Sequence, residues 1–189
     1  MDGLIGLLIT AAVVFFVVIG IHNGIIAAFN TVKRSWADVH TYERQKVNIL
    51  EALEPVVQQY ASHESQTLKD IVALRSNIMA MQSAEPDVNV LAKVQQQTDS
   101  LLKGLSVVLE NYPDLKADSL FLDLTANIRA QNENVAAAIA IFNRNVAIFN
   151  TKIESIPANL VNGLMTKKQR VDEFRDSVAE RNIEYRPNF

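Results

Sequence analysis

The side chains able to do chemistry in this sequence are scattered histidines, carboxylates and serines, and their spacing assembles no recognised site. His22, His40 and His63 include no pair four residues apart, the spacing that places two imidazoles on one face of a helix. His63 and Glu64 are adjacent, and neighbouring residues of a helix point in different directions. The chain has no cysteine, so thiolate nucleophiles and cysteine-ligated metals are excluded.

Motifs typical of enzymes are also missing from the sequence. It contains no Glu-x-x-His pair of the kind that builds di-iron bundles, no Gly-x-Ser-x-Gly elbow and no glycine-rich phosphate loop. We therefore predict no catalytic residues, no metal, no cofactor and no enzymatic activity. Eighteen basic against 21 acidic residues give a net charge of −3, which argues against nucleic acid as a partner because each phosphate contact needs a Lys or Arg.

The N-terminal end carries a long uncharged segment. No Asp, Glu, Lys or Arg lies between Asp2 and Lys33, and the run from Leu4 to Ile21 is almost wholly apolar. About 20 apolar residues cross a hydrocarbon layer of about 30 Å. A cleavable signal would need a basic start, a shorter apolar run and a small-x-small cleavage site. The sequence therefore predicts an uncleaved transmembrane anchor over residues 1–32.

Charges after this segment indicate how it would lie in the membrane. Lys33 and Arg34 follow it directly, so the positive-inside rule favours a cytoplasmic position for the rest of the chain. Asp38 and Glu43 lie among these bases, which keeps a periplasmic or extracellular domain as the alternative. We interpret Lys33, Arg34 and Trp36 as interfacial residues, with packing of Trp36 against a neighbouring helix as the other interpretation.

Two glycines could support self-association of the anchor. Gly20 and Gly24 are four residues apart on one face of the predicted helix, and such a pair lets two helix backbones approach closely. Small residues at this spacing also arise by chance in apolar segments. The hypothesis is that these glycines form a membrane-anchor packing face and that the chain is a homo-oligomer.

Beyond the anchor, apolar residues recur at steps of three and four, which predicts amphipathic helices. The three stripes are Leu50–Met81, Leu91–Val108 and Phe121–Ile156. Pro55 predicts a kink or a helix start. Short connections force antiparallel neighbours, so we predict an all-α protein with an antiparallel bundle of three long helices over residues 33–165, and a short C-terminal helix with a charged tail over residues 166–189.

Several motifs in this predicted bundle resemble the LemA family of bacterial membrane-anchored helical proteins. The resemblance is most specific at Glu110–Ala117, similar to the family's loop between its second and third bundle helices. Further similar segments are Ser35–Asp38, Tyr60–Glu64, Phe142-Asn143, Phe149-Asn150 and Ile156–Asn159. The chain departs from the family pattern over Gln45–Leu53, and it has Phe-Asn where the family usually has Tyr-Asn. The resemblance implies no established enzymatic activity and a scaffolding or signalling role at the bacterial cell envelope.

The loop motif has a structural interpretation. Pro113 disfavours a helical conformation at Tyr112 and ends the preceding helix near Asn111. Asp118 or Ser119 would then cap the next helix. Further along that helix, two asparagines seven residues apart are predicted either to set register between helices or to be exposed; they are Asn143 and Asn150.

Together these features predict a non-enzymatic scaffold anchored in the bacterial inner membrane, whose partners are the lipid bilayer, further copies of itself and, as a further candidate, an unidentified envelope protein. The alternative is a signalling adaptor or sensor that couples a membrane stalk to a partner kinase or protease. A third hypothesis is a ligand-binding bundle, which predicts an apolar internal cavity.

Overall fold

The computed structural model describes residues 2–60, 65–81 and 84–175, and within these ranges the chain is helical, with no strand. The helices are α1 (Asp2–Tyr60), α2 (Ser65–Ala80), α3 (Val88–Asn111), α4 (Pro113–Lys116), α5 (Ser119–Glu154) and α6 (Ala158–Val161), and a π-helical turn follows at Asn162–Thr166. The all-α prediction is confirmed.

Helix α1 is a single helix of 59 residues that begins in the apolar N-terminal segment and ends inside the bundle. At 1.5 Å per residue it is about 90 Å long. Pro55 lies within it, so the helix start considered there does not occur. Since no strong helix breaker separates the apolar segment from the amphipathic part, the two share one continuous helix.

The first amphipathic stripe is divided between two helices. Helix α1 ends at Tyr60 and α2 begins at Ser65, and α2 folds back along α1. Arg75 donates to Glu54 at 3.0 Å, and the His40 ring lies 3.2 Å from the Met81 carbonyl. Residue numbers therefore increase along α2 in the direction in which they decrease along α1, so the two helices are antiparallel. The bundle therefore has four long helical segments. A stripe continues across such a turn because both helices bury the same kind of face. The family-like segment Tyr60–Glu64 falls largely on residues 61–64, outside the described ranges.

Two helices of the bundle, α3 and α5, begin with side-chain caps. Asp87 accepts hydrogen bonds from the backbone N–H groups of Asn89 and Val90 at the start of α3. Asp118 does the same for Leu120 and Phe121 at the start of α5, at 2.8 and 3.2 Å. These bonds satisfy backbone donors that the first turn of a helix leaves free. Of the two predicted caps for α5, the structure uses Asp118.

The core is organised around α1 and α5, which run antiparallel over most of the 36 residues of α5. Two aromatic pairs lie along this contact: Trp36 with Phe142, and Phe29 with Phe149, each with ring centroids 5.3 Å apart. The three-four spacing of both helices puts these rings on facing stripes. Helix α5 extends past the start of α3, so near Phe29 the bundle narrows to two helices.

The end of the described chain packs against this narrow region. After α5 the chain turns through α6 and the π-helical turn, and Lys167 adopts a left-handed backbone conformation with φ 48°. Residues 167–175, here called the C-terminal strap, then run back along α5 without regular secondary structure. Val171 and Phe174 pack against the core, so the strap takes the place beside α1 and α5 that α3 occupies further along the bundle.

Candidate functional site

The N-terminal part of α1 is long and apolar enough to cross a membrane. An 18-residue window there has a mean hydropathy of 3.0 with at most two charged residues, and none of the window is buried within the protein. A core helix of a soluble protein would bury such a stretch, because exposed apolar area is costly in water. The segment is thus a candidate membrane span, in contact with the rest of the described chain only near its end, at Val18 and Ile21.

The two glycines at the end of this segment have different surroundings. A Cβ atom added at Gly20 would meet nothing within 4 Å, whereas one added at Gly24 would lie 2.8 Å from the ammonium nitrogen of Lys152 on α5. Gly24 therefore faces a side chain of its own subunit, and Gly20 has an open surface. The packing of these glycines against another copy stays a prediction.

The residues predicted to be interfacial lie about three helical turns beyond Gly24 on α1. Lys33 and Arg34 are exposed, and the Lys33 ammonium group lies 5.3 Å from the centre of the Phe29 ring. Trp36 is only 1% exposed and packs against Phe142. Of its two interpretations, the structure shows packing against a neighbouring helix.

The loop motif lies at the end of the bundle farthest from the candidate span. Asn111 is the last residue of α3, and Pro113 is the first of α4. Tyr112 is half-buried, packs against the core and donates its backbone N–H to the Val108 carbonyl at 3.0 Å. Leu115 is fully buried below the turn. At this motif α3 ends at Asn111 and α4 begins at Pro113.

A charged pair lies in the centre of the bundle, where sequence analysis placed no site. Glu43 and Lys46 of α1 are both fully buried, and the carboxylate Oε2 lies 3.0 Å from the ammonium nitrogen. Lys46 also donates to Thr98 Oγ1 at 3.1 Å and to Asn132 Oδ1 at 3.2 Å, and Gln95 donates to Glu43 Oε1 at 2.5 Å. The pair therefore connects α1 to both α3 and α5.

Burial shifts both members of this pair toward their neutral forms. Loss of hydration raises the pKa of Glu43 and lowers the pKa of Lys46, and the attraction between the two charges opposes both shifts. Breaking a buried pair by removing one partner is strongly destabilising, because the other charge is then left without water or a counter-ion. The arrangement ties three helices together.

A sequence signal for this pair existed. Extending the three-four spacing of the first stripe back from Leu50 lands on Lys46 and Glu43 before it reaches Val39 and Trp36, both buried. Glu43 also lies among the charges that flank the span, where solvated charges are common. The stripe position was the better guide.

Asparagine side chains hold the C-terminal strap. Asn150 donates to the Val171 carbonyl at 2.9 Å and accepts from its N–H at 3.0 Å. Asn143 forms the same pair of bonds with Phe174, both at 2.8 Å. Seven residues on a helix rise about 10.5 Å, a span that three residues of extended chain can match. The two asparagines therefore bind peptide backbone instead of setting register between helices.

A third asparagine shapes the start of the strap in the same way. Asn162 donates to the Lys168 carbonyl and accepts from its N–H, both at 2.9 Å. The Lys168 ammonium group lies 4.1 Å from the centre of the Phe29 ring, and Arg170 forms an ion pair with Glu154. A cleft of about 780 Å³ beside this part of the strap is open and lined by charged residues as well as apolar ones, unlike the enclosed apolar cavity that a ligand-binding bundle predicts.

Comparison with known proteins shows the family to which the chain belongs. Residues 35–184 match the LemA family, a range that includes most of the bundle and the strap. A LemA protein of Metamycoplasma hominis is 26% identical over 154 residues, covering 82% of this chain and 69% of the relative. The resemblance deduced from the loop and Phe-Asn motifs is thereby confirmed. The chain belongs to the LemA family.

Proposed function

We propose that this protein is a non-enzymatic scaffold of the bacterial cell envelope, anchored by the N-terminal part of α1 and self-associating through it. The observation that carries the proposal is the continuity of α1 from Asp2 to Tyr60. One helix forms both the candidate span and a wall of the bundle core, where Ile25 is already fully buried. Such a helix holds the bundle at a fixed distance from the bilayer and gives it a defined tilt relative to the span.

Self-association is supported by the open face of the span. Gly20 has no neighbour within 4 Å of an added Cβ, so a second helix backbone can approach there. In lipid, association of helices depends on close packing of this kind because no hydrophobic driving force brings them together. A scaffold built this way would gather bundles side by side and present the loops at their far ends to partners.

The test is the mass of the full-length protein in mild detergent. Gly20→Leu places a bulky side chain on the proposed contact face, and Ala11→Leu makes a matched change on the opposite face, since nine residues turn a helix by about 900°. We expect a discrete assembly for the unaltered protein and for Ala11→Leu, and a smaller species for Gly20→Leu. A monomeric unaltered protein contradicts the proposed self-association.

The alternative is an adaptor that passes a signal from the membrane to a partner protein. The same unbroken helix favours it, because a rotation or shift of the span would reach the buried pair at Glu43 and Lys46 directly. A monomer in detergent, combined with a specific envelope protein captured by cross-linking in cells, supports this function over the scaffold.

The proposed side of the membrane is cytoplasmic, from the basic residues Lys33 and Arg34 after the span. Because the chain has no cysteine, a single Val107→Cys variant on the exposed surface of α3 is a unique label site. We expect a membrane-impermeant maleimide to react with it only after the cells are broken. Labelling in spheroplasts would place the bundle in the periplasm.

A further inference from the structure

The segment after α5 exposes large apolar side chains. Ile156 and Leu164 are each 81% exposed, Leu160 is 63% exposed and Met165 is 51% exposed. Residues 156–166, here called the apolar turn, contain no charged residue. A turn in contact with water ordinarily carries polar side chains, and a cluster of exposed apolar ones marks a contact surface.

The apolar turn lies beside the candidate span. The two are in contact, and a cavity of about 360 Å³ between them is lined only by apolar residues, among them Val13 and Ile21 on α1 and Leu160 and Leu164 on the turn. From Val13 to Ile21 the helix rises about 12 Å. The turn is therefore level with the second half of the apolar run Leu4–Ile21. It lies within the depth that this run would occupy in a bilayer.

We propose that the apolar turn docks into the lipid surface beside the span, at the boundary between headgroups and acyl chains. This inference rests on the proposed anchoring of α1 in a membrane. Lipid that surrounds the unburied span reaches the turn without meeting a polar residue, because the surface between them is apolar. Insertion of an apolar face by several ångströms is the ordinary depth for an interfacial helical segment.

Basic residues border the apolar turn on the side toward the bundle. Lys152 lies against α1 at Gly24, and Lys167 and Lys168 directly follow the turn. These positions match the headgroup layer if Leu160 and Leu164 point into the acyl region, since lysines near an interface are attracted to anionic lipid. A second lipid contact besides the span would stop the bundle from swinging about α1.

Single-cysteine labelling tests this docking on the full-length protein. Leu164→Cys carries a nitrobenzoxadiazole label in vesicles of phosphatidylcholine and phosphatidylglycerol. Leu8→Cys in the candidate span and Val107→Cys on α3 are the matched controls, both at exposed positions. We expect the label at 164 to emit at shorter wavelength than the one at 107, to lose intensity with brominated lipid and to resist aqueous iodide.

The controls separate failure of this inference from failure of the anchor. If the label at position 8 is quenched by brominated lipid and the label at 164 only by iodide, the docking of the turn is wrong while the anchor stands. If both are reached only by iodide, the proposed anchoring itself fails. A label at 164 that neither quencher reaches indicates a protein occupant, such as a second copy, and also overturns the inference.

A charge placed in the turn provides a second measurement. With the label moved to Leu160→Cys, the added change Leu164→Asp should abolish quenching by brominated lipid, because a carboxylate resists entry into the acyl region. Val107→Asp in the same labelled background should leave the quenching unchanged. Retained lipid quenching with Leu164→Asp would contradict the proposed docking.

Discussion

Replacement of Lys46 by Met should expose how much the bundle depends on its buried pair. Both side chains are fully buried, so Lys46→Met leaves the Glu43 carboxylate without a counter-ion. Apart from the Lys46 ammonium group that the change removes, its Oε2 atom has no hydrogen-bond partner among the described residues, and Oε1 keeps only the bond from Gln95. The remaining charge has two outcomes: it stays ionised at the cost of a buried, unpaired carboxylate, or it takes up a proton.

The cost of protonating Glu43 sets the magnitude of the expected loss of stability. Protonating a carboxyl group of ordinary pKa 4.5 costs about 1.36 kcal/mol per pH unit, or about 3.4 kcal/mol at pH 7 and under about 1 kcal/mol at pH 5. The folded pKa of Glu43 in the variant lies above its unfolded value, so the variant gains stability as the pH falls. A loss of about 3 kcal/mol also agrees with the usual effect of breaking a buried pair.

The assay is equilibrium urea unfolding of the full-length protein in lipid nanodiscs at pH 7 and pH 5, followed by fluorescence of the buried Trp36. Arg75→Met is the matched control, because the Arg75–Glu54 pair joins α1 to α2 but is about one-third exposed and should cost less than about 1 kcal/mol. A pH-independent loss, or one below about 1 kcal/mol at pH 7, would refute the reasoning.

Three further predictions concern the buried pair, the strap and the cap of α3. The double change Glu43→Leu with Lys46→Met should recover most of the stability that Lys46→Met loses. Because the pKa of Glu43 is raised in the folded protein, the unaltered protein should become more stable relative to this double variant as the pH falls from that raised pKa toward 4.5. A difference in unfolding free energy that does not change with pH would contradict the buried pair. Asn150→Ala should raise hydrogen exchange at the Val171 amide about tenfold by removing its acceptor, and unchanged protection would show that this clamp does not hold the strap. Asp87→Ala should lower the unfolding free energy by about 1 kcal/mol, and an unchanged urea midpoint would mean that the cap is dispensable.

The helices were largely predictable because their signals are local. A charge-free apolar run predicts a candidate span, and apolar residues at steps of three and four predict amphipathic helices wherever they occur. The end of α3 at Asn111 and the cap at Asp118 followed from proline and aspartate chemistry within a few residues. The division of the first stripe between α1 and α2 escaped because both sides of a helical hairpin carry the same periodicity.

The contacts of polar residues needed the tertiary structure. Asn143 and Asn150 were singled out by their spacing, yet their partner is the strap, which leaves α5 and returns beside it. Glu43 and Lys46 stand three residues apart, a spacing equally suited to a solvated helix surface. The sequence by itself determined the helices and the apolar face of each. Only the tertiary structure decided which polar groups lose water together, because burial depends on helices far apart in the chain.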